Sequence, residues 1–140
     1  MERILITGAS GFIGSFIVEE ALRRGMEVWA GVRATSSRKY LQDSRIRFME
    51  LDFAHPDRLH SQLSARKAET GIFDYIVHCA GVTKCAHPSG FDEVNFRQTA
   101  RFADTLRELD MVPRQFIFVS TLSVFGALHE QDYSPIREQD

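Results

Sequence analysis

Residues 6 to 14 read ITGASGFIG, with Gly8, Gly11 and Gly14 three apart and directly behind the apolar run Ile4-Leu5-Ile6. Glycines at this spacing let a backbone reverse tightly and bring its N–H groups against phosphate oxygens. A ligand-free glycine turn can have the same local sequence, so the surroundings must decide between the two. A second constellation, His78, Cys79, Cys85 and His87, falls within ten residues and contains zinc-ligand types. Its Cys-x5-Cys spacing is not a usual structural one, and neighbours on a strand point to opposite faces, so no metal is expected. A third, Arg33, Arg38 and Lys39, is either a solvated basic loop or a contact for an anion.

The elements that must position these groups are legible as an alternation. Arg3 to Ile6 is expected to be a buried strand. It is followed by a helix on which Phe12, Ile13, Phe16, Ile17 and Leu22 fall near a 3.6 spacing up to Gly25. Glu27 to Val32 and Ile46 to Leu51 are the next strands, joined by the polar stretch Thr35 to Ser44 with room for a short helix. Pro56 to Lys67 is a helix with proline in its first turn. Phe73 to Cys79 is a fourth strand and Gln115 to Val119 a fifth. Between them Phe91, Val94, Thr99, Phe102, Leu106 and Leu109 mark one face of a long helix. From Ser120 the chain turns irregular, and Tyr133 to Asp140 is expected to be exposed loop. Strands that are nearly continuous apolar runs, alternating with helices, predict an α/β fold: a doubly wound parallel sheet, Rossmann-like, in the order 3-2-1-4-5 with helices on both faces.

Composition bounds the function. The chain has 140 residues, suited to one domain, with 44% hydrophobic and 26% charged residues. A net charge of -2 gives no electrostatic reason to expect nucleic acid or an anionic membrane as partner. No run approaches the about 18 apolar residues that a membrane span needs. Two cysteines make no disulfide framework, which favours a reduced, cytoplasmic setting.

With a strand before it and an amphipathic helix after it, the glycine turn has the context of a dinucleotide cradle. Thr7-Gly8-Ala9-Ser10-Gly11-Phe12-Ile13-Gly14 closely resembles the cofactor motif of the extended short-chain dehydrogenases/reductases, the NAD(P)-dependent epimerase/dehydratase family. Further segments resemble that family in order. Asp52, followed by Phe53, looks like the acid that contacts adenine. Asp74-Tyr75-Ile76-Val77-His78-Cys79-Ala80-Gly81 resembles the fourth-strand motif whose Ala80-Gly81 backbone lies beside the cofactor. Val94-Asn95-Phe96 is similar to the Asn-bearing turn of the long helix, with Gln98 where glycine is usual. Ser120-Thr121-Leu122-Ser123-Val124-Phe125-Gly126 looks like the active-site segment, with Phe125 in place of the usual Tyr.

The resemblance implies hydride transfer between a substrate carbon and a nicotinamide, as in epimerases, dehydratases and ketone reductases. It implies Thr121 as the catalytic hydroxyl, Ser123 as a substrate contact and Ser120 beside the cofactor. The substrate would be a small molecule, a nucleotide sugar or a ketone, and a homo-oligomer is a compatible assembly. The family's base, a Tyr-x-x-x-Lys pair, is not found. Tyr40 is followed four on by Ser44, Tyr75 by Cys79, and Tyr133 by Arg137. Residues 1–140 therefore read as the cofactor half of a longer enzyme, preceding its base and its substrate-binding part. A non-catalytic NAD(P)-binding sensor or interaction module stands as the alternative.

Cofactor type follows from the second strand. NAD-preferring domains usually end that strand on Asp or Glu, about 20 residues past the glycines, to receive the ribose 2′-OH. Here Val32 and Arg33 stand there, and a guanidinium can grip a 2′-phosphate. NADP is expected, with Arg33 as its determinant and Arg38 and Lys39 as further contacts. NAD is the alternative if Arg33 stacks on adenine instead.

Overall fold

The computed structural model describes residues 1–81, 86–121 and 132–140. Chain order runs β1 (Arg3–Thr7), α1 (Phe12–Arg23), β2 (Glu27–Val32), β3 (Arg47–Glu50), α2 (Pro56–Thr70) and β4 (Tyr75–His78). A short helix α3 (Pro88–Phe91) then passes through a π-helical segment, Asp92–Arg97, into α4 (Gln98–Glu108), and β5 (Gln115–Phe118) follows. Among the described residues the five strands are parallel and lie in the order β3-β2-β1-β4-β5, as expected. Register sets Thr7 beside Gly31 on one side and His78 on the other, so the carboxyl ends of β1, β2 and β4 finish level.

Side-chain alternation explains why the sheet is covered twice. On one face Ile4, Ile6, Val28, Ala30, Val32 and Val77 form a cluster with Val18, Ala21 and Leu22 of α1. On the other, Leu5, Trp29, Met49 and Ile76 join Leu59 and Leu63 of α2 and Phe102 and Leu106 of α4. Period-two strands between helical stripes leave residues such as Leu5 fully buried, each contributing about 2 kcal/mol of hydrophobic stabilisation. Helix α1 stops at Gly25, whose φ of +76° lets Met26 N–H reach the Ala21 carbonyl at 3.1 Å.

Two local expectations are corrected. The stretch 35–44 holds turns and no helix. Its serines bond backbone there: Ser36 Oγ accepts from Arg33 N–H at 2.9 Å and Ser37 Oγ from Lys39 N–H. The long helix is not continuous α-structure either. Residues Asp92–Arg97 wind as a π-helix, inserting one extra residue ahead of the buried Phe102 and Leu106.

Candidate functional site

The glycine loop leaves the carboxyl end of β1 and is shaped by what a side chain would strike. Gly8 has φ +62°, and a Cβ there would lie 2.8 Å from the Ala80 nitrogen and 2.9 Å from the Cys79 carbonyl carbon. The ends of β1 and β4 can approach this closely only over a bare backbone. At Gly14 a Cβ would lie 2.2 Å from the Gly8 carbonyl oxygen, so α1 packs against the loop through its own main chain. Gly11 N–H donates to Gly8 O at 3.0 Å, closing the turn. Gly11 is also the N-cap of α1, with no side-chain cap and no acid in the first turn. The first amides of α1, at Phe12, Ile13 and Gly14, are thereby left for an anion.

A cleft of about 490 Å³ opens along this edge. Gly8, Ser10 and Gly11 form one wall, Gly31 to Ser36 the next, and Asp52, Phe53 and Arg58 a third. Cys79, Ala80, Gly81, Val94 and Gln98 complete it. The expected residues Gly8, Gly11, Arg33, Asp52, Phe53, Ala80 and Gly81 thus meet at one site. Gly14 supports it from beneath. Asn95 stands beside it, its Oδ1 2.9 Å from where a Cβ of Gly81 would sit. A cradle that a Cβ would fill at two glycines, next to free helix amides, suits a pyrophosphate-bearing ligand.

Electrostatics grade along the cleft. Arg33 is exposed at the end of β2, and among the described residues its side chain makes no ion pair or hydrogen bond. Asp52 is held by three neighbours: Oδ2 meets His55 Nδ1 at 2.8 Å and Arg58 Nη1 at 2.9 Å, and Oδ1 accepts from Ala54 N–H. Burial pushes the Asp52 carboxyl up, but hydrogen bonding and charge from His55, the Ala54 amide and Arg58 together hold it below the usual carboxylate value. Arg58 also reaches Glu50 at 3.4 Å, which sets its charge against the two acids of this wall.

Other expectations fall elsewhere. Thr7 is buried behind the loop, with its hydroxyl 2.6 Å from His78 Nδ1 and accepting from the Cys79 and Ala80 amides. Phe12 and Ile13 turn their side chains to solvent. Phe12 borders a separate, larger cleft of about 750 Å³ between α1 and residues 39–46, whose walls carry Phe16, Tyr40 and Ile46 but no glycine of the loop. Lys39 lies in that second cleft, the Arg38 guanidinium sits 4.0 Å from the centre of the Phe48 ring, and neither lines the cleft that holds Arg33. Ser120 and Thr121 are exposed beyond β5 and do not border the dinucleotide-sized cleft. Ser123, Cys85 and Phe125 lie outside the described residues. Arg58, Val94, Gln98 and His78 are not signalled as site residues by the sequence. Arg58 could be found from its place six residues beyond Asp52, in the first turn of α2, whereas the partners of His78 are remote in sequence.

Comparison with known proteins gives the family and the fold. The sequence model of the NAD dependent epimerase/dehydratase family matches residues 4–140. Dihydroflavonol 4-reductase of Arabidopsis thaliana is 36% identical over 92 residues, covering 65% of this chain and 22% of the relative. Aldehyde reductase 2 of Sporidiobolus salmonicolor is 29% identical over 130 residues, covering 89% of this chain and 36% of the relative. The chain thus spans roughly a quarter to a third of the curated relatives it matches. Among solved structures, the UDP-glucose 4-epimerase of Thermus thermophilus in complex with NAD superposes with a TM-score of 0.68. It is 27% identical, and the match covers 85% of this chain and 37% of that one.

Proposed function

The chain belongs to the NAD dependent epimerase/dehydratase family, and from that premise we propose that residues 1–140 form the cofactor-binding unit of an enzyme working by hydride transfer, with NADP preferred over NAD. The observation that carries the preference is the free Arg33 guanidinium at the end of β2, on a cleft wall where an NAD-type acid is absent. Arg58, paired with both Glu50 and Asp52 on the neighbouring wall, offsets part of their charge and lessens its repulsion of a 2′-phosphate.

In this reading the amides opening α1 hold the pyrophosphate, the Ala80–Gly81 backbone borders the nicotinamide half, and Asn95 braces that backbone. Bound there, the nicotinamide supplies or accepts the hydride. Thr121 hydrogen-bonds the reacting oxygen of a nucleotide sugar or ketone, and Ser123 contacts the substrate. A proton relay needs a phenol with its pKa lowered by a cation. Residues 1–140 hold no Tyr followed four on by Lys. By themselves they are proposed to bind cofactor without turnover. That same observation favours the second reading, a non-catalytic NAD(P)-binding sensor or interaction module.

Calorimetric titration tests the proposal. NADPH should bind more tightly than NADH, and Arg33→Ala should weaken NADPH about tenfold, or about 1.4 kcal/mol, while leaving NADH nearly unchanged. Equal affinities in the wild type, or equal loss for both cofactors in Arg33→Ala, would overturn the 2′-phosphate assignment. Ketone- or nucleotide-sugar-dependent hydride transfer by residues 1–140, abolished in Tyr133→Phe, would overturn the inactivity of this unit.

A further inference from the structure

His78 borders no part of the cleft, yet it touches every element that forms the cleft's inner end. It is 1% exposed at the carboxyl end of β4. Its two ring nitrogens face two hydroxyls: Nδ1 lies 2.6 Å from Thr7 Oγ1, and Nε2 lies 3.1 Å from Thr99 Oγ1. Thr7 Oγ1 already accepts from Cys79 N–H at 3.1 Å and Ala80 N–H at 3.3 Å. A hydroxyl has two acceptor sites and one proton, so the proton of Thr7 goes to Nδ1, which must be bare. Nε2 therefore carries the ring proton and donates to Thr99, whose own hydroxyl points to the Asn95 carbonyl at 3.4 Å. Donation runs one way, from the glycine loop through the imidazole to the π-helical turn.

We propose that His78 is a positioning residue for the cofactor cleft: as a neutral, Nε2-protonated imidazole it sets the glycine loop, the Ala80–Gly81 backbone and the Asn95 turn at fixed separation. This rests on reading the cleft as a dinucleotide site. A second ring proton would sit on Nδ1 and face an oxygen with no acceptor site left. Among the described residues the surroundings offer it no other partner. Phe53, Phe102, Phe116 and Phe118 place their rings 5.2 to 6.1 Å from the imidazole. The polar groups facing it are Thr7 from β1 and Thr99 from α4, with the Cys79 thiol as its chain neighbour. Charged groups on the packed elements pair among themselves, Asp52 with His55 and Arg58, and Glu93 with Arg101. Burial holds the ring down to about 4, in keeping with a site made for the neutral form.

The ring's tautomer and the affinity for NADPH together test this. In the cofactor-free protein, long-range nitrogen–proton correlation spectra should show a bare Nδ1 and a protonated Nε2, still neutral at about pH 5, where an exposed histidine is charged. His78→Phe keeps the aromatic packing but loses both hydrogen bonds and should bind NADPH about tenfold more weakly. His78→Asn, whose amide oxygen can take the Nδ1 role, should recover part of that loss. Thr99→Val removes only the outer bond and should cost a few-fold should His78→Phe fail to fold. An Nδ1-protonated ring, or variants that bind as tightly as a binding-competent wild type, overturns the proposal alone. A wild type that binds neither NADPH nor NADH overturns the dinucleotide reading and the proposal with it.

Discussion

The carboxyl ends of β1 and β5 both lead into chemistry-bearing residues, and they are built differently. β1 lies between two neighbours, buries Leu5 and Ile6 completely, and ends in a loop locked by backbone contacts at Gly8 and Gly14. Among the described residues β5 is paired on one side, to β4, and it leaves Ile117 43% and Phe118 46% exposed before the chain reaches Ser120 and Thr121. A binding loop needs order in advance, because each of its amides must already point at the ligand. The segment proposed to hold the substrate-binding hydroxyl, Thr121, follows the most exposed of the described strands. Of the two regions, the glycine loop is therefore the one held in place by its own backbone packing.

Changes to the two regions should differ most in the core behind them. Phe102→Ala removes a fully buried ring beneath His78 and Phe53, and should cost about 4 kcal/mol in urea unfolding. Gly14→Ala forces a Cβ onto the Gly8 carbonyl and should cost about 3 kcal/mol with at least a tenfold loss of cofactor affinity. Wild-type stability and affinity in that variant would show the loop to be soft after all. Acid sharpens the contrast from inside. His78 is lowered from 6.5 to about 4 by burial, so its contribution is fully present above pH 6.5 and drains away as pH falls to about 4. Unfolding experiments across that window should lose about 2 to 3 kcal/mol, and His78→Asn should flatten the slope. Smallest is the effect at the edge. Ile117→Lys should change stability by less than about 1 kcal/mol yet reduce self-association in light scattering, because it breaks the exposed apolar surface of β5. A wild type that is monomeric at high concentration would remove that half of the contrast.

The sheet was legible because its signals are local. Ile4-Leu5-Ile6 and Glu27 to Val32 are short apolar runs closed by glycine or by a charged turn, and such runs read directly as strands buried on both faces. The glycine loop was legible for the same reason, with motif, strand and helix all within 25 residues. The depth of Thr7 was not legible, since an outward and an inward hydroxyl at a strand end look alike until its partner 71 residues away is in place. The π-segment left a trace that periodicity alone did not resolve. Val94 and Thr99 share a face though they stand five apart, one residue more than an α-helix allows. Arg38 and Lys39 are near Arg33 in sequence, whereas Arg38 lies over Phe48 of β3 and Lys39 lines the cleft against α1.

That surplus residue in the helix behaves like a spare link in a chain. Winding 92–97 as ordinary α-helix with every residue kept would give better hydrogen bonds and no loss of helix. The one surplus residue would then no longer be absorbed, and the chain upstream of the segment would turn by about 100° about the helix axis. Asn95, which now reaches Gly81, would be carried out of line with it while Phe102 and Leu106 stayed seated. A more regular helix would be a misaligned one, so the irregular turn works as a phase setting between the core and the cleft.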